Sequence, residues 1–232
     1  MSYTTLLLDL DHTLFDSAAC EIAAFEDTLG AAGVDLPLRH FDTYFEINAA
    51  LWTSVERGAM TPQEVRLVRF ERLVAKIGLD VDPEPLADAF AVGLGANGDL
   101  YPGAREALEQ LTEHARLALV TNGLSQVQRA RVERLDLEHY FDAILISAEL
   151  GVAKPAREMF DAAFVALDSP EKESALMVGD SLTSDIRGGA DYGIATCWYN
   201  PHRKTAAPDV GVSHEITSLD QLPALVLRGR AQ

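Results

Sequence analysis

The stretch LLLDLDHTLFD, residues 6 to 16, decides the fold, because a run of leucines leads directly into aspartates. An unbroken apolar run is typical of a strand that is buried on both faces, as strands are in parallel sheets. We expect a strand over residues 5–10, along which alternation would turn the carboxylates of Asp9 and Asp11 to the same side. Two carboxylates at one site repel each other unless a cation neutralises them or one stays protonated. The pair suits a nucleophile beside a general acid, although aspartates that only cap the turn after a strand give the same pattern.

Further apolar runs predict the rest of the sheet, at residues 117–121, 143–147, 176–178 and 195–198. They alternate with stretches of helical period, and this alternation favours a parallel sheet with helical crossovers. Between the first two runs the chain reads almost entirely as helix, with apolar residues at helical spacing in residues 17–29, 41–57, 62–77 and 84–92. We therefore predict an α/β, Rossmann-like core made of residues 1–15 and 97–232, with a mostly helical cap inserted at residues 16–96.

Two more strand ends carry polar residues that suit an anion. In LALVTNG, residues 117–123, Thr121 and the amides that follow it, including that of Asn122, could hold a phosphate oxygen. In ELGVAKP, residues 149–155, Lys154 precedes a helix predicted at residues 156–167, where the helix N-terminus also favours an anion. Taken alone, the first is also an ordinary turn sequence and the second could be a solvated surface lysine.

The segment GDSLTSD, residues 179–185, follows the apolar run ALMV and brings Asp180 and Asp185 to the same edge of the predicted sheet. In open α/β sheets, ligands bind at this edge. Carboxylates with backbone and water oxygens suit a hard cation such as Mg²⁺. The chain has no cluster of His and Cys that would favour zinc.

Composition restricts the partners of the chain. Its 232 residues carry a formal charge of −17, which argues against binding to a nucleic acid polymer, since such binding relies on clustered Lys and Arg. No segment approaches the ~20 apolar residues that span a bilayer, and two cysteines are too few for a disulfide framework. We expect a cytoplasmic protein, a monomer or a homodimer, that acts on a small molecule.

Taken together and in this order, the four segments resemble the four motifs of haloacid dehalogenase-like (HAD) hydrolases. The resemblance implies that Asp9 attacks phosphorus, while Asp11 protonates the leaving oxygen and then activates water. It implies that Thr121 holds the phosphoryl group and that Lys154 orients Asp9 and balances charge. It also implies a Mg²⁺ ion bound by Asp9, Asp180 and the backbone carbonyl of Asp11, with Asp185 binding the metal directly or through water. Such a site works by positioning and by neutralising charge on the phosphoryl oxygens.

Parts of this sequence also fit other interpretations. GDSL is also the signature of serine esterases built on a nucleophile such as Ser181, but the two Asp-x-x-His spacings, Asp9 to His12 and Asp136 to His139, both lie upstream of that serine. Dehalogenases of the same fold lack the second acid, so Asp11 favours phosphoryl chemistry. The segment GLGANG, residues 93–98, spells a dinucleotide fingerprint but lacks the strand before it, and we interpret it as a hinge between cap and core. A catalytically silent binding module remains an alternative of another class.

The cap segments suggest one branch of the family. INAALW at 47–52 and RFERL at 69–73, with GIATCWYN at 193–200, resemble the bacterial pyrimidine 5′-nucleotidases. Within the cap, Asn48, Trp52 and Arg69 are candidate substrate residues, with Asn48 and Trp52 on one helical face. Trp52 could equally pack in the cap core, and Arg66 and Arg69 could pair with acids of the cap. Sugar phosphates and phosphoglycolate remain alternative substrates. His12 stands where many relatives carry glycine, and we expect its side chain to turn away from the site.

Overall fold

One parallel sheet organises the molecule, seen in a computed structural model that describes residues 3–227. In that range the sheet has six strands, in the order β3-β2-β1-β4-β5-β6. Their bounds are β1 Thr5–Leu8, β2 Arg116–Thr121, β3 Ala143–Ile146, β4 Ala175–Gly179, β5 Ala195–Tyr199 and β6 His214–Ile216. The predicted α/β fold is confirmed, and β6 is a strand that the sequence reading did not anticipate.

Strand β1 lies at the centre of the sheet, and all four of its residues are buried. It pairs in parallel with β2 on one side and β4 on the other, with Leu6 level with Leu117 and Leu176. The order of the strands reverses between β1 and β4, so the carboxyl ends of these two strands flank the crevice in which open α/β sheets bind ligands.

Strand β1 ends at Leu8, two residues earlier than expected. The amide of Asp9 still donates to the carbonyl of Val178, at 3.0 Å, but the chain then turns so sharply that the carbonyl of Leu10 accepts from the amides of Thr13, Leu14 and Phe15. Asp9 and Asp11 therefore do not sit on one strand, and the alternation argument for their side chains was wrong. His12 is exposed and lies in this turn, with φ of 60°, rather than at a strand end. It lines the cavity at this edge of the sheet, so the expectation that its side chain turns away from the site was wrong.

Helices cover both faces of the sheet and form the insertion. The inserted helices are α1 Ser17–Ala31, α2 Phe41–Glu56, α3 Pro62–Ile77 and α4 Pro83–Ala96. The later ones are α5 Ala104–Thr112, α6 Ser125–Arg134, the single turn α7 Ser147–Leu150, α8 Arg157–Ala166, α9 Arg187–Tyr192 and α10 Gln221–Leu227. Short 3₁₀ turns lie at Pro37–His40, Glu138–Tyr140 and Lys172–Ser174, and a wide π-type turn spans Leu182–Ile186. None of the helices in the described range is long and apolar enough to cross a membrane.

Local sequence explains where the inserted helices begin and end. Helix α3 starts with a reciprocal capping box between Thr61 and Glu64, and it stops at Gly78, whose φ of 69° suits glycine. The insertion has an aromatic centre, in which the rings of Tyr44 and Phe90 lie 5.3 Å apart and those of Phe70 and Phe90 also 5.3 Å apart. Packing of these rings, rather than helix propensity, holds the short helices together.

The GLGANG segment is mostly helical. Helix α4 continues to Ala96, so the interpretation of residues 93–98 as a hinge was wrong except for the last two residues. A Cβ on Gly93 would lie 3.0 Å from Ala24 of α1, and one on Gly95 would lie 2.9 Å from Ala130 of α6. The glycines therefore allow α4 to pack closely against both helices.

The chain enters and leaves the insertion side by side. The amide of Asp16 donates to the carbonyl of Asp99 at 2.9 Å, and the amide of Tyr101 donates to the carbonyl of Leu14 at 2.8 Å. Phe15 and Leu100 form an antiparallel bridge between these two bonds. This two-stranded connection, which we call the linker ribbon, joins the insertion to the rest of the molecule near the predicted boundaries at residues 16 and 96, which themselves stay a prediction.

Candidate active site

A cavity of about 350 Å³ lies between the carboxyl edge of the sheet and helix α2. Its floor carries the acidic residues that follow β1 and β4, together with Lys154, while α1 and α2 form the opposite wall. Of the predicted core residues, Asp9, Asp11, Asn122, Lys154, Asp180 and Asp185 line this cavity. Thr121 is fully buried behind it.

Lys154 is the centre of the floor, with only 1% of its surface exposed. Its Nζ lies 2.6 Å from Asp9 Oδ1, 2.6 Å from the carbonyl of Val120 and 2.7 Å from Asp185 Oδ1. The contacts with Asp9 and Val120 are hydrogen bonds, whereas the contact with Asp185 is an ion pair, because Asp185 Oδ1 accepts no hydrogen bond within the described residues. Its two carboxylate neighbours hold the pKa of the lysine above its ordinary value despite the opposing effect of burial. Lys154 thus orients and neutralises carboxylates, and the phosphate contact expected of it stays a prediction.

Asn122 holds Lys154 in place through the backbone. Its Oδ1 accepts from the amide of Lys154 and its Nδ2 donates to the carbonyl of the same residue, both at 2.9 Å. The side chain of Asn122 therefore positions the lysine, and the phosphate contact expected of its backbone amide stays a prediction. The hydroxyl of Thr121 accepts from Gln128 Nε2 at 3.0 Å.

Three carboxylates on the floor could together hold a cation. Ligand oxygens of Asp9, Asp180 and Asp185 all lie within 4.8 Å of one another. Burial raises the pKa of Asp9 to about 7, with Lys154 opposing it and Asp185 adding to it. Burial and the charge of Asp9 raise the pKa of Asp180 to about 6. Buried acids that repel one another in this way fit a site completed by a divalent cation.

The loop after β4 is shaped to bring Asp185 into this cluster. Asp185 Oδ2 accepts from the amide of Ser181 at 3.0 Å, across the π-type turn. A Cβ on Gly179 would lie 2.2 Å from the same oxygen, so only glycine allows the approach. π-type turns are frequent at functional sites.

Thr13, which the sequence reading passed over, joins two of the acids. Its hydroxyl donates to Asp9 Oδ2 at 3.1 Å and accepts from the amide of Asp180 at 3.0 Å. The indole of Trp198 donates to the carbonyl of Asp180 at 2.9 Å. The role of Thr13 could have been predicted from its position four residues after Asp9. The sharp turn after β1 brings this threonine back over the end of the strand.

Asp11 faces a different set of partners. Gln128 Nε2 and Arg131 NH1 each donate to its carboxylate at 2.5 Å, and the hydroxyl of Ser17 also donates to it. Burial acts to raise the pKa of Asp11, but Arg131 and these hydrogen bonds outweigh it and hold the pKa below its ordinary value. Gln128 and Arg131 were missed, although they lie three residues apart on the helix that follows Thr121 and so share one face.

One face of α2 forms the cap side of the cavity. Phe45, Asn48, Trp52 and Glu56, spaced at helical intervals, all line it. The expectation that Asn48 and Trp52 share a face toward the core is thus confirmed in the geometry. Trp52 is half-buried and also packs against the small cluster of Leu51, Val55 and Val65.

The cap arginines differ from each other. Arg69 is 2% exposed, donates to Asn48 Oδ1 at 3.2 Å and to Tyr44 at 3.4 Å, and lies over the ring of Phe90. Arg66 pairs with Glu84 and Asp88, as expected for a residue that does not meet substrate. Pairing with cap acids was also the alternative for Arg69, yet the groups that it contacts here are neutral and lie at the cavity wall.

A family model for haloacid dehalogenase-like hydrolases matches residues 3–193. The chain belongs to this family. It is 34% identical to pyrimidine 5′-nucleotidase YjjG of Escherichia coli, over 98% of this chain and all of that protein. It is 35% identical to pyrimidine 5′-nucleotidase PynA of Streptococcus pneumoniae, over 96% and 94% of the two chains. The crystal structure of the HAD-hydrolase YfnB of Bacillus subtilis, bound to magnesium, superposes with a TM-score of 0.89 at 33% identity, covering 97% of this chain and 99% of that one.

These matches support the prediction that this HAD hydrolase cleaves phosphoric monoesters. They agree with the geometry around Ser181, which does not resemble a serine esterase. The hydroxyl of Ser181 accepts from the amide of Ser184 and lies 3.2 Å from Thr183 Oγ1. Asp136 and His139, one of the two pairs with esterase spacing, contact each other at the surface. Ser181 caps the turn that carries Asp185.

Proposed function

We propose that this hydrolase is a Mg²⁺-dependent phosphomonoesterase that works through a phosphoaspartate, and that its substrates are pyrimidine nucleoside 5′-monophosphates. The observation that carries the reaction is the convergence of Asp9, Asp180 and Asp185 around Lys154 on the cavity floor. The names of the two nucleotidase relatives and the aromatic face of α2 support the substrate.

The residues on the floor fit Mg²⁺. Three carboxylates face one ammonium group, so the cluster keeps an excess of negative charge that a divalent cation would balance. We propose Asp9, Asp180, Asp185 and the backbone carbonyl of Asp11 as the protein groups that hold it. When bound, the ion would neutralise charge on the transferring phosphoryl oxygens.

In the first half-reaction, a carboxylate oxygen of Asp9 forms a bond to phosphorus while the bond from phosphorus to the alcohol oxygen breaks. Lys154 and Thr13 hold the two oxygens of Asp9 and fix the direction of attack. The departing alcohol oxygen takes a proton from Asp11. This step requires Asp11 to gain a proton first, which its ion pair with Arg131 opposes.

In the second half-reaction, Asp11 accepts a proton from water as the water oxygen attacks phosphorus. The bond between phosphorus and Asp9 then breaks, which releases inorganic phosphate and restores the carboxylate. The ionised, Arg131-paired form of Asp11 described above is the form that this step needs.

The test is phosphate release from dUMP, dTMP and UMP, beside sugar phosphates and phosphoglycolate, with Mg²⁺, with EDTA, and with Asp9→Asn as the blank. The proposal expects metal-dependent release that favours the pyrimidine nucleotides and is absent in the variant. Release from sugar phosphates alone would keep the reaction and overturn the substrate. A melting temperature that Mg²⁺ and fluoroberyllate leave unchanged, with no release, would favour the silent binding module.

A further inference from the structure

Acidic side chains outnumber basic ones around the cavity. The acids that line it are Asp9, Asp11, Glu21, Glu56, Asp180 and Asp185, and the basic residues are His12, Arg69, Arg131 and Lys154. Lys154 contacts Asp9 and Asp185, and Arg131 contacts Asp11. Arg69 is linked through Asn48 to Glu21, and burial raises the pKa of Glu21 while His12 and Arg69 oppose that rise. Beyond the proposed metal site, the cavity therefore keeps an excess of acidic groups.

Glu21 lies where the alcohol part of a substrate would sit. It is on α1 one helical turn, about 5.4 Å, beyond Ser17, whose hydroxyl binds the carboxylate of Asp11. Since Asp11 serves the leaving oxygen in the proposed reaction, Glu21 faces the next few atoms of the alcohol. Its Oε1 accepts from Asn48 Nδ2 at 3.3 Å, so Arg69 and Asn48 hold it in this place.

We propose that this cavity selects phosphate esters whose alcohol part is uncharged, and that Glu21 is the specificity-determining residue that rejects esters with a second anionic group. The inference rests on the proposed phosphomonoesterase function and deepens it by naming the substrate class. It holds for nucleosides and for smaller neutral alcohols alike.

The physical reason is the cost of placing like charges together away from water. A carboxylate or second phosphate beside Glu21 would lose its hydration and would meet a carboxylate of the same sign. A hydroxyl or ring N–H at the same place could instead donate to the free oxygen of Glu21. Specificity of this kind comes from a repulsive element built against the wrong ligand.

The experiment compares matched esters in which one member carries an additional anionic group. The pairs are UMP against uridine 3′,5′-bisphosphate, and 2-hydroxyethyl phosphate against phosphoglycolate. We expect kcat/KM to favour the neutral member of each pair by about tenfold or more at about pH 8, an alkaline pH chosen because burial raises the pKa of Glu21. The second pair contains no nucleoside, so it tests charge selection even if the pyrimidine assignment fails.

Substitutions then assign the effect to Glu21. Glu21→Gln keeps the acceptor for Asn48 and removes the charge, and should raise the ratio of anionic to neutral turnover about tenfold. Glu21→Asp keeps the charge and should keep the ratio low, whereas loss of packing alone would affect both variants. Glu26→Gln, an exposed acid on the same helix, is the matched control and should leave the ratio unchanged.

Three outcomes would overturn the inference. Equal turnover of both members of each pair by the unaltered protein would show that there is no charge selection. A ratio that moves equally in Glu21→Gln and Glu26→Gln would show that the selection comes from overall charge. Absence of release from every ester would overturn the phosphomonoesterase proposal and this inference with it, and so differs from the first two outcomes.

Discussion

The floor and the cap wall of the cavity are built by opposite means. On the floor, Lys154 contacts Asp9, Asp185 and the carbonyl of Val120, and Asn122 binds its backbone, so each group is fixed by several others. On the wall, Phe45 is 56% exposed and Trp52 half-buried, and the face of α2 is open toward the cavity. The difference teaches that the reaction depends on groups that cannot move independently, whereas selection depends on a surface that can change one residue at a time.

Replacing the proposed nucleophile should give the largest effect. An amide at position 9 cannot form a phosphoaspartate, so Asp9→Asn should lose about 10⁴-fold or more in kcat. Steady-state phosphate release measures this, with the exposed Asp27→Asn of α1 as the control. If Asp9→Asn kept a tenth of the activity, Asp9 would not be the nucleophile and the reaction would not depend on the cavity floor.

Removing the buried lysine should cost stability as well as activity. Lys154→Met keeps the length of the side chain but leaves Asp9 and Asp185 buried without a cation, which should lower the free energy of unfolding by about 3–5 kcal/mol. Urea unfolding in EDTA measures it, and added Mg²⁺ should restore part of the loss. Lys76→Met, at an exposed position of α3, should lie close to the unaltered protein.

Replacing Arg131 tests whether the partners of Asp11 contribute to the reaction. Arg131→Met removes the ion pair that orients this carboxylate, and kcat should fall about 100-fold while KM changes little. Arg134→Met is the matched control, because Arg134 lies on the same helix and binds carbonyls at the end of α4. Equal losses in both variants would mean that helix packing, and not Asp11, explains the effect.

Substitutions in the cap wall should change substrate binding rather than the rate of the chemical step. Phe45→Ala removes an aromatic ring exposed to the cavity, and KM for a pyrimidine nucleotide should rise about tenfold with kcat nearly constant. KM for a small ester without a ring should not change, and Val92→Ala, an exposed apolar residue of the cap, serves as the control. An equal rise for both substrates would contradict stacking.

The smallest effect should come from the surface ion pairs of the cap. Glu84 and Asp88, the partners of Arg66, are 63% and 65% exposed, so Arg66→Gln should change the free energy of unfolding by less than about 1 kcal/mol. Thermal unfolding beside Lys154→Met measures the contrast directly. A loss comparable to that of Lys154→Met would remove the distinction between floor and cap.

Much of the floor could be predicted because it depends on strand ends. Apolar runs locate β1, β2 and β4, and parallel strands bring the residues that follow them to one edge whatever the details of packing. Asp9, Asp180, Asp185 and Lys154 therefore meet as the sequence indicates. The partners of Asp11 could not be found in this way, because they depend on how α6 is rotated against the turn after β1.

The other structural features that the sequence did not predict also have physical causes. The bounds of β1 depend on a turn that returns three amides to Leu10, which a hydrophobic pattern does not encode. Strand β6 has one buried residue among three, too short a signal to recognise. Apolar residues of α2 point either into the aromatic centre or into the cavity, and helical spacing alone does not separate the two.

Because of the linker ribbon, the insertion can be replaced as a unit. Since the chain departs at Phe15 and returns at Leu100 as neighbours, the segment between them can lengthen, shorten or be exchanged without displacing the strands beneath. Descendants of one ancestral gene can thus diversify in what they recognise while inheriting the same chemistry. For an engineer, a library of inserts on this one scaffold would sample many alcohols with a single reaction.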